Sequence, residues 1–168
     1  PEEAAGWTDD SLAQIRALAS QPKVCAIGEI GLDYYWDTST KATQETMLRT
    51  QLELALELDL PVIIHDREAH GDSLRIVCDY PGLRGVFHCF SGSPEMAAEL
   101  LKRGWYLGFD GPITYKNAKR APEVAAITPM DWAAMVLICF VLPAVLSVLF
   151  CEIERKLGWI KDGDLKLN

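Results

Sequence analysis

The sequence predicts an α/β fold of about four parallel βα units, followed by a C-terminal apolar helix. Short, almost uncharged apolar runs alternate with longer segments whose apolar residues recur at helical spacing. A separate run, residues 132–151, contains no charged residue. The 168 residues suffice for one ordinary domain but fall short of the roughly 250 residues of a closed eight-unit barrel.

The first elements are a helix and a buried strand. Thr8 or Asp9 can cap a helix that runs to about Ala19. Residues 24–30 then form a nearly unbroken apolar run in which Glu29 is the only charged residue. This pattern is typical of a strand buried on both faces, as the strands of parallel sheets are.

A second helix and strand follow at once. Residues 42–59 place apolar side chains at helical spacing with charges between them, and Pro61 ends this helical pattern. Residues 62–64 form a short β-branched run that predicts a buried strand. A helix through residues 74–78 completes this unit.

Two further strands are predicted before the chain changes character. Residues 85–90 read as the third strand, and Ser93, followed by a proline, starts a helix that Gly104 closes. Residues 105–109 form the fourth strand, and a short helix follows near residues 117–126. The alternation predicts parallel strands with right-handed crossovers and helices packed outside.

The composition changes near residue 131 and predicts two parts, residues 1–131 and residues 132–168. The second part has four acidic and four basic residues, so the formal charge of −8 belongs to the first. Residues 132–151 would be about 30 Å long as a helix, enough to cross a membrane. A buried core helix is the alternative, and basic residues on both sides leave the orientation of a span open.

Charge and cysteine content limit the function classes. An acidic chain argues against a nucleic-acid partner held by a broad basic surface, although nucleic acid could bind through metal ions. The five cysteines are an odd number without a C-x-x-C pair, which favours reduced thiols and a cytoplasmic location. Ser91 lies outside any G-x-S-x-G elbow, and the sequence has no nucleotide-binding glycine motif.

Three ionisable residues fall near the ends of consecutive strands: Glu29, His65 and His88. The carboxyl ends of parallel strands share one edge, so these side chains can converge. Two imidazoles and a carboxylate are a common ligand set for a catalytic divalent metal. Taken singly, each His could be an ordinary polar group, and Glu29 could pair with a cation such as Arg67. His70 has only this ordinary interpretation.

Three segments carry a family resemblance: residues 26–37 (AIGEIGLDYYWD), residues 51–70 (QLELALELDLPVIIHDREAH) and residues 85–115 (GVFHCFSGSPEMAAELLKRGWYLGFDGPITY). They closely resemble TatD-type metal-dependent hydrolases of the amidohydrolase superfamily, over roughly residues 5–131. The resemblance implies a TIM-type (β/α) barrel whose one or two divalent metals activate water for phosphodiester hydrolysis. It also implies a deoxyribonuclease-like activity.

The resemblance assigns roles to particular residues. Glu29 resembles the metal-bridging carboxylate, and His65 and His88 resemble ligands of one metal, which could be Mg²⁺, Mn²⁺ or Zn²⁺. Arg67 is similar to a basic residue that contacts substrate phosphate. Asp33 belongs to the first motif without an assigned role, and no catalytic residue is assigned. The implied partner is DNA or another phosphodiester substrate bound through the metal.

The chain departs from the family pattern at both ends. It has no H-x-H pair, and residues 132–168 stand where an E-T-D-S-P-like strand is expected. We therefore expect a partial barrel, weak metal binding and little turnover. The alternative is a membrane-anchored fusion or fragment whose tail belongs to a permease-like protein and contacts the membrane through residues 132–151. Open sheet edges also predict self-association, unless the tail covers them.

Overall fold

The computed structural model describes residues 1–36 and 40–127. The chain divides into two units, Pro1–Thr128 and Pro129–Asn168, and every described element belongs to the first. The helix expected at residues 132–151 lies outside the described residues. Within the described ranges, no helix is long and apolar enough to cross a membrane.

Four parallel strands form one sheet, and their order in the sheet is their order in the chain. They are β1 (Ile27–Asp33), β2 (Val62–Arg67), β3 (Gly85–Phe87) and β4 (Tyr106–Leu107). The predicted α/β fold with about four parallel strands is thus confirmed. All four strands direct their carboxyl ends to one edge of the sheet.

Helices alternate with the strands as the apolar spacing predicted. The α-helices are α1 (Asp9–Ala19), α2 (Lys41–Glu57), α3 (His70–Cys78), α4 (Pro94–Lys102) and α5 (Arg120–Ile127). Single 3₁₀ turns occur at Ala4–Gly6 and Gly111–Thr114. At the start of α4 the predicted cap is present, because the Ser93 hydroxyl accepts a hydrogen bond of 3.3 Å from the Met96 N–H.

The core consists of apolar side chains from the sheet and from the helices that cover it. Leu32 of β1, Ile64 of β2 and Phe87 of β3 are fully buried, as are Leu48 and Leu52 of α2. Removing such side chains from water supplies most of the driving force for folding. This core fixes the strand ends from which the polar side chains of the candidate site project.

The first strand differs from its predicted bounds. It starts at Ile27 rather than at residue 24, and it continues through Gly31 to Asp33. Gly31 has a φ of +145° and pairs with His65, where an added Cβ would lie 1.9 Å from the His65 carbonyl oxygen. The glycine therefore permits a close approach of two strands, a role that glycines inside strands often have, and does not end the strand.

This change moves two acidic residues relative to the strand. Glu29 lies inside β1, where the register against β2 shifts between Ile27 and Ile30. Asp33, which the prediction placed beyond the strand, is its last residue. Irregular strand segments often redirect side chains beside functional sites, and here the irregular segment carries Glu29.

Candidate metal centre

The structure brings together the three residues that the sequence analysis singled out. Glu29 comes from β1, His65 from β2, and His88 directly follows β3. Glu29 Oε1 lies 2.7 Å from His65 Nδ1 and 2.7 Å from His88 Nε2. The two ring nitrogens are 3.4 Å apart. One atom of each side chain therefore faces a common point at the carboxyl edge of the sheet.

This cluster has the chemistry of a divalent-metal site. Glu29, His65 and His88 each offer one ligand atom, and these atoms lie within 4.8 Å of one another. Imidazole nitrogen and carboxylate oxygen are the donors found in catalytic zinc and other transition-metal sites. The two imidazoles are partly buried, whereas Glu29 is exposed. The donor set thus fits a metal ion that keeps positions open on its solvent side.

A second acidic residue, Asp33, contacts His65 on the side of the ring that faces away from Glu29. Its Oδ2 lies 3.0 Å from His65 Nε2, the ring nitrogen that does not face Glu29. Its Oδ1 accepts hydrogen bonds from the backbone N–H of Tyr35 at 2.9 Å and of Trp36 at 3.2 Å. Burial alone raises the pKa of Asp33, but the hydrogen bonds from His65, Trp36 and Tyr35 outweigh it and lower the pKa below its ordinary value.

Helix α2 holds the backbone at Asp33 in place. The Asp33 N–H donates to Gln44 Oε1 at 2.8 Å, and Gln44 Nε2 donates to the Asp33 carbonyl oxygen at 3.0 Å. Gln44 is 2% exposed, so a buried amide satisfies both backbone groups where β1 ends. Asp33 had no role assigned from the sequence, and its contact with His65 appears only in the folded chain.

Arg67, the expected phosphate contact, ends β2 and is exposed. Its guanidinium carbon lies 4.0 Å from the centre of the Tyr35 ring and 5.4 Å from the centre of the Trp36 ring. Glu29 is paired with the two imidazoles instead. Among the described residues, Glu29 thus contacts the two histidines and forms no ion pair with Arg67.

A cavity of about 740 Å³ opens beside the cluster. His65 and His88 line it from the sheet side. Its lining also includes three basic residues, Arg67, Lys119 and Arg120, and two acidic residues, Asp66 and Asp110. The strong negative charge of the whole chain is thus not repeated in this cavity. Lys119 and Arg120 could not be assigned to the site from the sequence, because they lie just before and at the start of α5, and only the tertiary position of that helix brings them to the cavity.

His88 also belongs to a second group, with Cys89 and Asp110. The Cys89 thiol donates a hydrogen bond to Asp110 Oδ2, and His88 Nδ1 lies 3.9 Å from the same oxygen. Burial and the neighbouring Asp110 raise the pKa of Cys89 to about 12. Because a metal binds the thiolate, this protonated thiol is a weaker candidate than the Glu29 cluster.

The third histidine is separate from the cluster. His70 begins α3, and its Nδ1 lies 2.7 Å from Asp66 Oδ2. The hydrogen bond to Asp66 raises the pKa of His70, against the opposing effect of burial. His70 thus has its own carboxylate partner, in agreement with its ordinary interpretation.

Comparisons with a family model and with curated proteins point to the same family. The family model described as TatD related DNase matches residues 1–134. The chain is 45% identical over 133 residues to the uncharacterized metal-dependent hydrolase YabD of Bacillus subtilis, covering 78% of this chain and 52% of the relative. It is 43% identical over 134 residues to the 3′-5′ ssDNA/RNA exonuclease TatD of Cronobacter turicensis, covering 77% and 49%.

Solved structures give the same result. The crystal structure of YJJV, a TatD homologue from Escherichia coli K12, matches with a TM-score of 0.67 at 38% identity, over 73% of this chain and 49% of that one. A TatD family hydrolase from Entamoeba histolytica matches with a TM-score of 0.54 at 35% identity, over 61% and 36%. The chain spans about half the length of the curated relatives it matches. With its family resemblance confirmed, the chain belongs to the TatD-related DNase family.

Proposed function

We propose that this chain is a metal-dependent hydrolase of the TatD type that acts on phosphodiester bonds. The observation that carries the proposal is the convergence of Glu29, His65 and His88 beside a cavity whose lining includes three basic side chains. The names of two relatives, a metal-dependent hydrolase and a 3′-5′ ssDNA/RNA exonuclease, support the metal and the substrate class.

In this proposal Glu29, His65 and His88 hold a divalent ion, which could be Mg²⁺, Mn²⁺ or Zn²⁺. Such an ion, when bound, lowers the pKa of a water molecule and polarises a phosphoryl oxygen. The protein contributes two neutral imidazoles and one carboxylate from three neighbouring strands. His65 must then offer Nδ1 and His88 must offer Nε2 without a proton, because a metal binds the lone pair.

The substrate would enter through the cavity beside the cluster. Arg67, Lys119 and Arg120 provide positive charge for phosphates close to the cluster, although the chain as a whole is acidic. Tyr35 and Trp36 are 56% and 69% exposed beside Arg67. Exposed aromatic rings next to cationic side chains suit a single strand, whose unpaired bases can stack on them.

The proposal is tested by titrating the chain with Zn²⁺ in a calorimeter. We expect one site, which Glu29→Gln and His88→Ala weaken by at least about tenfold because each removes a ligand. His70→Ala is the matched control: it removes the histidine paired with Asp66, and binding should stay within about twofold. Equal weakening by His70→Ala and His88→Ala would contradict the proposed site.

Hydrolysis is measured separately with an end-labelled single-stranded oligonucleotide and Mg²⁺ or Mn²⁺. We expect slow turnover because the chain has only three histidines and no H-x-H pair, and this stays a prediction. Any metal-dependent cleavage should disappear in Glu29→Gln and persist in His70→Ala. Rapid cleavage by the wild-type chain would contradict the expected impairment.

The other functional expectations stay predictions. The membrane-anchored alternative depends on residues 132–151, outside the described part of the chain, and no described feature favours it. Among the described strands, β1 and β4 each have one neighbour, so the expectation of self-association depends on these two edges. The cytoplasmic location depends on reduced cysteines, and Cys25, Cys78 and Cys89 are free thiols in the described part.

A further inference from the structure

We infer that Asp33 is a positioning residue that fixes the ring orientation and the tautomer of His65, so that His65 presents Nδ1 to the metal. The inference rests on the proposed function, in which His65 is a ligand. It assigns a role to a residue that the family resemblance left without one. Three features of the structure carry it.

The first feature is that the two ring nitrogens of His65 contact two different carboxylates. Nε2 lies 3.0 Å from Asp33 Oδ2, and Nδ1 lies 2.7 Å from Glu29 Oε1. A neutral imidazole carries one proton. Both ring nitrogens face a carboxylate, and a metal ion that takes the Nδ1 lone pair leaves the single ring proton on Nε2, where Asp33 Oδ2 accepts it. Metal-bound histidines are commonly held by a carboxylate in this manner.

The second feature is that the Asp33 carboxylate has no freedom to turn away. Its side chain is 4% exposed, and its other oxygen accepts the N–H groups of Tyr35 and Trp36. The third feature is the buried Gln44 amide, which binds both backbone polar groups of Asp33. The position and the orientation of the acceptor are thus both fixed before any metal arrives.

This arrangement makes Asp33→Asn a specific test. The asparagine oxygen can still accept the N–H groups of Tyr35 and Trp36, which places its NH₂ group against His65 Nε2. That nitrogen must then be the acceptor, and the proton moves to Nδ1, where it blocks the lone pair. The same substitution beside the histidine of a serine protease is known to give the wrong tautomer without disturbing the geometry.

The experiment uses the full 168-residue chain with ¹⁵N-labelled histidine, loaded with Zn²⁺ at about pH 8. Ring nitrogen shifts should show wild-type His65 protonated at Nε2 and bound to Zn²⁺ through Nδ1, and Asp33→Asn should lose this signal at a Zn²⁺ concentration that saturates the wild type. In a Zn²⁺ titration, Asp33→Asn should raise the Kd by about 10- to 100-fold. Asp66→Asn, which alters the carboxylate partner of His70, is the control and should change neither the His65 tautomer nor the Kd.

Two results would overturn the inference: a Zn²⁺-loaded wild-type His65 protonated at Nδ1, or an Asp33→Asn variant whose His65 signal and Zn²⁺ affinity match those of the wild type. The wild-type spectrum decides the question even when the variant does not fold, which circular dichroism would show. A wild-type chain that binds no Zn²⁺ would refute the proposed function and this role with it, whereas wild-type Zn²⁺ affinity in Asp33→Asn would refute only the role of Asp33.

Discussion

Gly31 offers a direct test of how the strands support the candidate site. It lies opposite His65 in the register of β1 and β2 and has a φ of +145°. In Gly31→Ala, the new Cβ would lie 1.9 Å from the His65 carbonyl oxygen and 2.8 Å from the carbonyl carbon. These are backbone atoms, so no side-chain rotation relieves the overlap. β1 must move away from β2 next to the ring that joins Glu29 and Asp33.

The magnitude follows from two costs. An L side chain held at a strongly positive φ costs about 1–3 kcal/mol. Separating the strands weakens backbone hydrogen bonds, each with a net value of about 0.5–1.5 kcal/mol. We expect Gly31→Ala to lower the free energy of unfolding by about 3–5 kcal/mol, which is a large part of the 5–15 kcal/mol typical of a domain. Zn²⁺ affinity should fall as well, because the site depends on the spacing of β1 and β2.

The assay is urea denaturation followed by far-UV circular dichroism. Gly71→Ala is the matched control, since Gly71 lies in α3, is exposed, and has nothing within 4 Å of an added Cβ. Its free energy of unfolding should stay within about 1 kcal/mol of the wild type or rise slightly. If Gly31→Ala were as stable as Gly71→Ala, the close approach of β1 and β2 at His65 would be refuted.

Three other changes have defined outcomes. Ser93→Ala removes the cap of α4 and should lower the free energy of unfolding by about 1 kcal/mol, measured by urea denaturation. Asp66 raises the pKa of His70, so the charged form of His70 stabilises the fold below pH 6.5. This contribution to the free energy of unfolding is lost as the pH rises through the raised pKa. In His70→Asn, the free energy of unfolding should no longer show this decrease with pH, measured by urea denaturation at a series of pH values. Arg67→Ala should weaken single-stranded oligonucleotide binding and reduce its salt slope by about one, whereas Arg84→Ala, a control on an arginine bound to Asp59, should not.

The sequence predicted helix starts and helix positions correctly where they depend on a few neighbouring residues. The cap at Ser93 and the apolar spacing of α2 are properties of a few adjacent residues, and both appear in the structure. The start of β1 was wrong because residues 24–26 are apolar without being paired. Val24 is 37% exposed, and its N–H donates to Gln21 in a turn.

The candidate site divides in the same way. His65 and His88 follow short apolar runs, so their place at the sheet edge could be read from the sequence. The proposed role of Asp33 depends on a contact with His65, 32 positions away, and on hydrogen bonds to Gln44 in helix α2. Lys119 and Arg120, just before and at the start of α5, reach the cavity through the tertiary position of that helix. No local pattern carries this information.

We propose that Glu29, His65 and His88 bind one divalent metal ion, and X-ray absorption at the zinc edge of the Zn²⁺-loaded chain can count its ligands. We expect two imidazole ligands with oxygen donors, one imidazole fewer in His65→Ala and in His88→Ala, and an unchanged signal in His70→Ala. An unchanged imidazole count in His65→Ala, or a sulfur ligand from Cys89, would contradict it.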